Sequence, residues 1–425
     1  MRRWFLLILM AAGISSAAAQ APAAASESDL VFAVILSRHG IRSPLLRNEE
    51  MAKFAADPWP VWEVSPGLLT PHGRRNMEFM GRYYRAYFAA QGLLSGRPEV
   101  DAPQIFFRAD SNQRTIVTAQ ALAEGLVPGM PVTVHSLPQD QRGDPLLDPE
   151  TNDSRADQQL REASIRGRLG GDGSNLAGEY RPALGALERV LLGGDGTPPA
   201  GKVSLLSLDP QRPLWSTAQR LVDAMVLEYA DGKPLAAVGW GRLAPAQLTQ
   251  LMTLSALGFD LNVGTFYIAQ RGASDLASHL LATLTQAARG QPVEGALGAP
   301  GQRLVVLVGH DSNIVPLGRL LDLNWRLPGT PANPVLPGGA MIFELRRRHA
   351  DGQLVVRTRY VSESLDQMRA GTPLTLEHPP GSAPIFVPDC STAAPGYDAP
   401  LDRFSERLRA AIDPKLVVPE PSALR

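Results

Sequence analysis

Two uninterrupted apolar runs, VFAVIL at 31–36 and LVVLVG at 304–309, constrain this chain more than any other feature. Each is short, rich in β-branched residues and bounded by turn-forming or polar residues. That is the pattern of strands buried on both faces under helices. QIFF (104–107) is a third strand candidate. MIFELR (341–346) and LVVRTRYV (354–361) read as two later strands joined at Asp351-Gly352, the second alternating as a half-exposed strand does. Between them lie helical patterns. LTPHGRRNMEFMGRYYRAYFAAQG has Thr70 at the N-cap, Pro71 at the first helical position and Gly92 past the end. Met77, Met80, Tyr84 and Phe88 fall on one face, as core residues do. Segments 114–126, 216–232 and 274–290 read as further helices.

Strands mixed with helices at both ends of the chain predict an α/β fold. We expect a mixed α/β sandwich core with helices on both faces, plus a smaller, mainly α-helical inserted domain. The middle of the chain carries helical patterns and Gly/Pro-rich stretches but no clear strand. The expected division is an α/β domain with its first part at 20–150, a helical domain at 151–263, and the second part of the α/β domain at 264–425.

The first residues, MRRWFLLILMAAGISSAAAQ, combine two arginines, a short apolar stretch and a small-residue cleavage site. They read as a secretory signal peptide, 1–19, with the mature chain beginning at Gln20 in a loose leader that runs to Asp29. No later segment is long and apolar enough to span a membrane. The protein is therefore expected to be periplasmic or secreted. A net charge of −1 provides no global field for nucleic acid, so any attraction for anions must be local. Cys390 is the only cysteine, which excludes an intrachain disulfide and Cys-rich metal sites. Its surroundings, VPDCSTAAPG, read as those of an unreactive thiol.

Each of the two apolar runs leads into a histidine. VFAVIL is followed by Ser37-Arg38-His39-Gly40-Ile41-Arg42, and LVVLVG by His310-Asp311-Ser312-Asn313. In open α/β sheets, sites form beyond the carboxyl ends of the strands, so these residues converge if the strands are neighbours. The third strand candidate leads through RADSNQRT to Arg114, near the start of a helix, where backbone N–H groups favour an anion. Arg38, Arg42 and Arg114 together suit one compact, multiply charged anion, and phosphate matches their forked geometry. His39 is then the expected nucleophile, kept neutral by flanking cations. Asp311 is the expected proton donor, with His310 and the arginines stabilising the phosphoryl group. The arginines supply the positive charge, so no metal or cofactor is expected. Asp311 at a helix start favours its carboxylate form; a bound phosphate dianion and acidic surroundings restore the proton, so an acidic pH optimum is expected.

At these residues the chain resembles the histidine acid phosphatases, the branch of the histidine phosphatase superfamily that includes periplasmic phytases and glucose-1-phosphatases. The first motif stands as Arg38-His39-Gly40-Ile41-Arg42-Ser43-Pro44 and the second as Gly309-His310-Asp311-Ser312-Asn313. LTPHG, RADSNQRT, WGRL, LNWRLPG and PGGAMIFE extend the similarity along most of the mature chain. The resemblance implies a phosphohistidine at His39, proton donation by Asp311, and phosphate binding by Arg38, Arg42, Arg114 and His310. It also implies an α/β domain with a smaller α-domain, the site lying between them. Leu45-Leu46 after Pro44 depart from the phytases, which carry polar residues there, and look more like the glucose-1-phosphatases. Asp223, in LVDA, is a candidate selectivity residue facing the cleft, or else a solvated helix carboxylate.

The expected function is hydrolysis of phosphate monoesters, such as sugar phosphates or inositol phosphates. A phytase proper is the nearest alternative. A periplasmic protein that binds phosphate without turnover is an alternative of another class, and a phosphomutase-like transferase a third.

Overall fold

A computed structural model describes residues 27–149, 154–211, 213–419 and 424. The signal-peptide segment 1–19 and most of the leader lie outside the described residues. The fold is built on one mixed, eight-stranded sheet. Its strands are β1 (Ser28–Arg38), β2 (Ile105–Ala109), β3 (Val134–His135), β4 (Leu304–Gly309), β5 (Ala340–Arg348), β6 (Leu354–Ser362), β7 (Gly381–Ile385) and β8 (Ala399–Pro400). Their order is β3-β2-β4-β1-β5-β6-β7, with β8 also paired to β6. From β3 to β1 all pairs are parallel; from β1 outward to β5, β6 and β7 they are antiparallel.

The two apolar runs are central, hydrogen-bonded neighbours, as their composition requires. Successive side chains point to opposite faces. Val34, Leu36, Val305 and Leu307 pack with the helices Phe266–Arg289, Asp311–Leu320 and Leu401–Ala411. Ala33, Ile35, Val306 and Val308 pack with the helices Pro71–Ala90 and Gln113–Leu126, where Met77, Met80, Tyr84 and Phe88 are all buried. Thr70 caps the first of these helices by accepting from the Gly73 N–H at 2.9 Å. Gly73 must be glycine, because a Cβ there would overlap the Ile41 backbone just beyond the first motif.

Several sequence boundaries need correction. β1 starts at Ser28, inside the stretch expected to be a loose leader, because β5 extends far enough to pair Ser28 with Arg348 and Asp29 with Arg347. β6 alternates without being half-exposed. Its Arg359 is turned onto buried Glu344 at 3.0 Å and over the Tyr87 ring at 4.2 Å, and Arg357 reaches Asp398 at 2.7 Å. The helix expected at 274–290 begins at Phe266. β3, β7 and β8 carry no apolar run or alternation that marks a strand, being only two, five and two residues long.

Between residues 154 and 263 every described regular element is helical: Arg155–Leu169, Ser174–Glu179, Arg181–Leu192, Pro213–Ala230 and Pro245–Asn262, with two short 3-10 turns. These helices share a separate apolar core in which Trp215, Leu221, Met225, Leu187 and Leu251 are buried. Ile41 and Trp59 belong to that core too, so the segment after β1 passes beneath it. No single described helix is long and apolar enough to cross a membrane.

Candidate active site

Strand pairing brings the two histidine motifs together. In the parallel β1–β4 register Arg38 stands opposite Gly309, and the His39 N–H donates to the Gly309 carbonyl at 2.9 Å. His39 and His310 therefore leave adjacent strands side by side, their rings edge to face with centroids 5.5 Å apart. β2 lies on the other side of β4, and its continuation is tied down by the Asp110 N–H donating to Val308 at 3.0 Å. Arg114 follows as the second residue of the helix Gln113–Leu126.

His39 is buried, and its Nδ1 lies 2.8 Å from the Gly40 carbonyl. A carbonyl only accepts, so Nδ1 carries the hydrogen and Nε2 keeps its lone pair. Burial, then the charges of Arg38, Arg42, Arg114 and His310, hold the imidazole well below its usual range. The group is thus a neutral imidazole even in mildly acidic solution.

The cations converge around it. Arg42, Arg114, His310, Asp311 and Ser312 line one pocket with His39. Arg38 Nη2 contacts Asp311 at 3.0 Å and Asp223 at 3.4 Å, while Arg42 Nη2 contacts Asp223 at 3.0 Å. The Nε groups of Arg38, Arg42 and Arg114 are buried donors that no described residue accepts from. Burial, then repulsion from Arg42, lowers the Arg114 guanidinium to about 10. Such a cluster is costly without an anion to share it. Asp311 opens the helix Asp311–Leu320, and His310, at its N-cap, donates its backbone N–H to Asn313 Oδ1 at 2.8 Å. All six residues singled out in the sequence thus meet at one end of the sheet.

Two carboxylates enlarge that set. Asp110 Oδ2 lies 2.7 Å from His310 Nε2. Burial opposes ionisation of Asp110, but the hydrogen bond and charge of His310 hold its carboxyl down at about 2. Sequence reasoning missed it, since Asp110 in RADSN reads as a turn residue. Asp223, on the helix Pro213–Ala230, is not a solvated carboxylate: it joins Arg38 and Arg42 and is only 18% exposed. A buried pair, Arg108 with Asp144 at 2.8 Å, ties the loop that brings Asp148 to the pocket rim. Cys390 is buried elsewhere, where burial raises its thiol and Sγ–H donates to the Arg403 carbonyl at 3.5 Å. Among the described residues no cluster of three or more His, Cys, Asp or Glu side chains is placed to hold a metal ion.

Chemically, a neutral imidazole with a free ring nitrogen shares a pocket with guanidiniums and a carboxyl group. The family model for the histidine phosphatase superfamily (branch 2) matches residues 29–168. Phytase AppA of Escherichia coli (strain K12) is 32% identical over 418 residues, covering 91% of this chain and 92% of that protein. Glucose-1-phosphatase of Salmonella typhimurium is 28% identical over 438 residues, covering 97% of this chain and 100% of that protein. The solved structure of Hafnia alvei phytase in complex with tartrate superposes with a TM-score of 0.82 at 30% identity, covering 94% of this chain and all of that one (100%).

Proposed function

The chain belongs to the histidine phosphatase superfamily, branch 2, and from that premise we propose that it hydrolyses phosphate monoesters through a phosphohistidine formed on His39. It is a phosphoric monoester hydrolase; the covalent route and the residue roles are our reading. The observation that carries the reading is the His39 tautomer. With Nδ1–H held by Gly40, Nε2 is the free nucleophilic nitrogen, and burial among arginines keeps it unprotonated.

In the first step Nε2 attacks phosphorus and the P–O bond to the alcohol breaks. Asp311 gives its proton to the departing oxygen. Arg38, Arg42 and Arg114 hold the phosphoryl oxygens and neutralise their charge as the group passes. His310, oriented by Asp110, offers its other ring nitrogen to the same group. In the second step water attacks phosphorus, the Nε2–P bond breaks, Asp311 takes up the water's proton, and inorganic phosphate leaves. A proton donor that must be neutral favours acidic conditions.

We read residues 1–19 as a signal peptide and the protein as periplasmic or secreted. We place the domain division near 150 and 263, which the separate helical core supports. Sugar phosphates and inositol phosphates are the proposed substrates; the glucose-1-phosphatase and phytase names of its relatives support both.

The test is p-nitrophenyl phosphate hydrolysis across acidic to neutral pH, with and without EDTA, by the mature chain and by His39→Ala. Acid-favoured, EDTA-resistant activity that His39→Ala abolishes supports the reading. EDTA-sensitive activity, or two inert proteins that both bind phosphate, contradicts it; the latter outcome favours a binding protein.

A further inference from the structure

The pocket that holds His39 and Asp311 is also lined by Asp140, Gln141, Arg142 and Asp148, all from the loop after β3. Hydrogen bonds seat Asp148 beside the reacting groups. Its N–H donates to the Asp144 carbonyl at 2.9 Å, and Asp144 is held in turn by buried Arg108. Its neighbour Leu147 accepts from Asn313 Nδ2 at 2.9 Å, and Asn313 Oδ1 accepts from the His310 N–H at 2.8 Å. Asp148 is therefore pinned to the first turn of the helix that Asp311 opens. Its carboxyl senses the site's charges. Partial burial, then the charge of Asp110, raises it above the usual range, while His310 and Arg114 act the other way.

The position matters because of where the alcohol sits. Nε2 of His39 attacks in line, so the bond that breaks points away from it, toward the proton donor. Asp311 and Asp148 line the same pocket, so the alcohol lies against the wall that carries Asp148. Outside the groups that hold phosphate, the charged lining residues are Asp140, Asp148 and Arg142. Asp148 is exposed to the pocket. Among the described residues its carboxylate has no hydrogen-bond donor and no ion pair, Arg142 included, so its charge stands unneutralised. A second anion on the alcohol meets two carboxylates there against one guanidinium. An uncharged alcohol meets no such repulsion.

Resting on the phosphatase reading above, we propose that Asp148 is a specificity-determining residue: its charge disfavours a second anionic group on the alcohol, so the preferred class is a monophosphate ester of an uncharged alcohol.

Glycerol 3-phosphate and 3-phosphoglycerate test this directly. Both are phosphorylated on a primary alcohol of a three-carbon chain. They differ at the far end, a hydroxymethyl group in one and a carboxylate in the other. The ratio of their kcat/KM values, glycerol 3-phosphate over 3-phosphoglycerate, is measured at pH 6 for the wild-type protein, Asp148→Asn and Asp148→Lys. Asp148→Asn is expected to lower the ratio about three- to tenfold, and Asp148→Lys to lower it at least as far, as the loss and then the reversal of a charge require. Using the ratio guards against a general loss of folded enzyme. A ratio that Asp148→Asn leaves unchanged, or that either variant raises, overturns the inference and leaves the phosphatase reading standing. So does a wild-type protein that hydrolyses p-nitrophenyl phosphate but neither ester. Failure on all three substrates counts against the phosphatase reading itself and removes this inference with it.

Discussion

Asp110 Oδ2 and His310 Nε2 lie 2.7 Å apart at the ends of adjacent parallel strands, with the carboxylate fully buried behind the imidazole. The carboxylate accepts, so Nε2–H donates; Nδ1 can then hold a phosphoryl oxygen when it too carries a hydrogen, as it does in the imidazolium that Asp110 stabilises. Asp110 is a positioning residue by this account. Asp110→Asn is expected to lower kcat/KM about ten- to a hundredfold, the worth of a hydrogen bond between charged partners. It is also expected to weaken competitive inhibition by inorganic phosphate, because the His310 ring is no longer held toward the anion, which a general loss of stability does not do. Steady-state kinetics on the variant, with and without phosphate, check both.

Asp223 competes with phosphate. It contacts Arg42 at 3.0 Å and Arg38 at 3.4 Å, so an arriving anion meets guanidiniums that already share a carboxylate. Asp223→Asn removes a like charge from beside the bound anion. Inorganic phosphate is expected to inhibit the variant about three- to tenfold more tightly, read as a lower competitive inhibition constant. Weaker inhibition would assign Asp223 to holding the arginines in place.

Two buried carboxyl groups outside the site tie stability to pH. Burial pushes Glu228 and Glu363 up to about 8, each from 4.5. Glu228 meets one backbone donor, the Gly239 N–H at 3.3 Å, and Glu363 Oε1 has no partner among the described residues. Both are neutral in the folded state below about pH 8, whereas the unfolded chain ionises them above about 4.5. Between those values the folded state holds more protons, so stability falls as pH rises. Glu363→Gln is expected to raise Tm at pH 7 and leave it nearly unchanged at pH 4, measured by thermal unfolding at both.

His39 carries the opposite linkage. Its folded pKa lies well below 6.5, so the unfolded chain binds the proton first and stability is lost as pH falls below 6.5. His39→Gln is expected to flatten that loss while abolishing activity. Melting curves from pH 7 down to pH 4 test it.

Arg108 and Asp144 are an ion pair with no exposed side-chain surface. Asp144 also accepts from the Leu146 and Leu147 N–H groups, and Leu147 in turn accepts from Asn313, two residues after Asp311. Asp144→Ala leaves a buried guanidinium uncompensated and is expected to cost about 3–5 kcal/mol in urea unfolding. Arg108→Met together with Asp144→Leu is expected to cost much less.

What the sequence disclosed follows physical lines. His39 and His310 were legible because each ends an apolar run that has to be a central strand, and central parallel neighbours end at the same edge. Arg114 was legible because it opens a helix after a third such strand. Asp110 was not, since an aspartate in RADSN looks like turn chemistry and its partner lies 200 residues away. Asp223 was read two ways, because a helical carboxylate looks solvated until the helix is seen against Arg38 and Arg42. The strands at 341–346 and 354–361 were legible, but the second reads as half-exposed for a related reason: Arg359 and Glu344 are polar letters in the sequence but form a buried pair in the sheet.

The central claim is a covalent phosphohistidine on His39. The direct measurement is acid-free rapid quench of the enzyme mixed with p-nitrophenyl phosphate, followed by proteolysis at alkaline pH and mass spectrometry of the peptide that spans residues 31–42. One phosphoryl group on His39, formed within the first turnover and absent from His39→Ala, is the predicted result. Full turnover with no phosphorylated enzyme at any quench time, or a phosphoryl group on a different residue, would contradict the account.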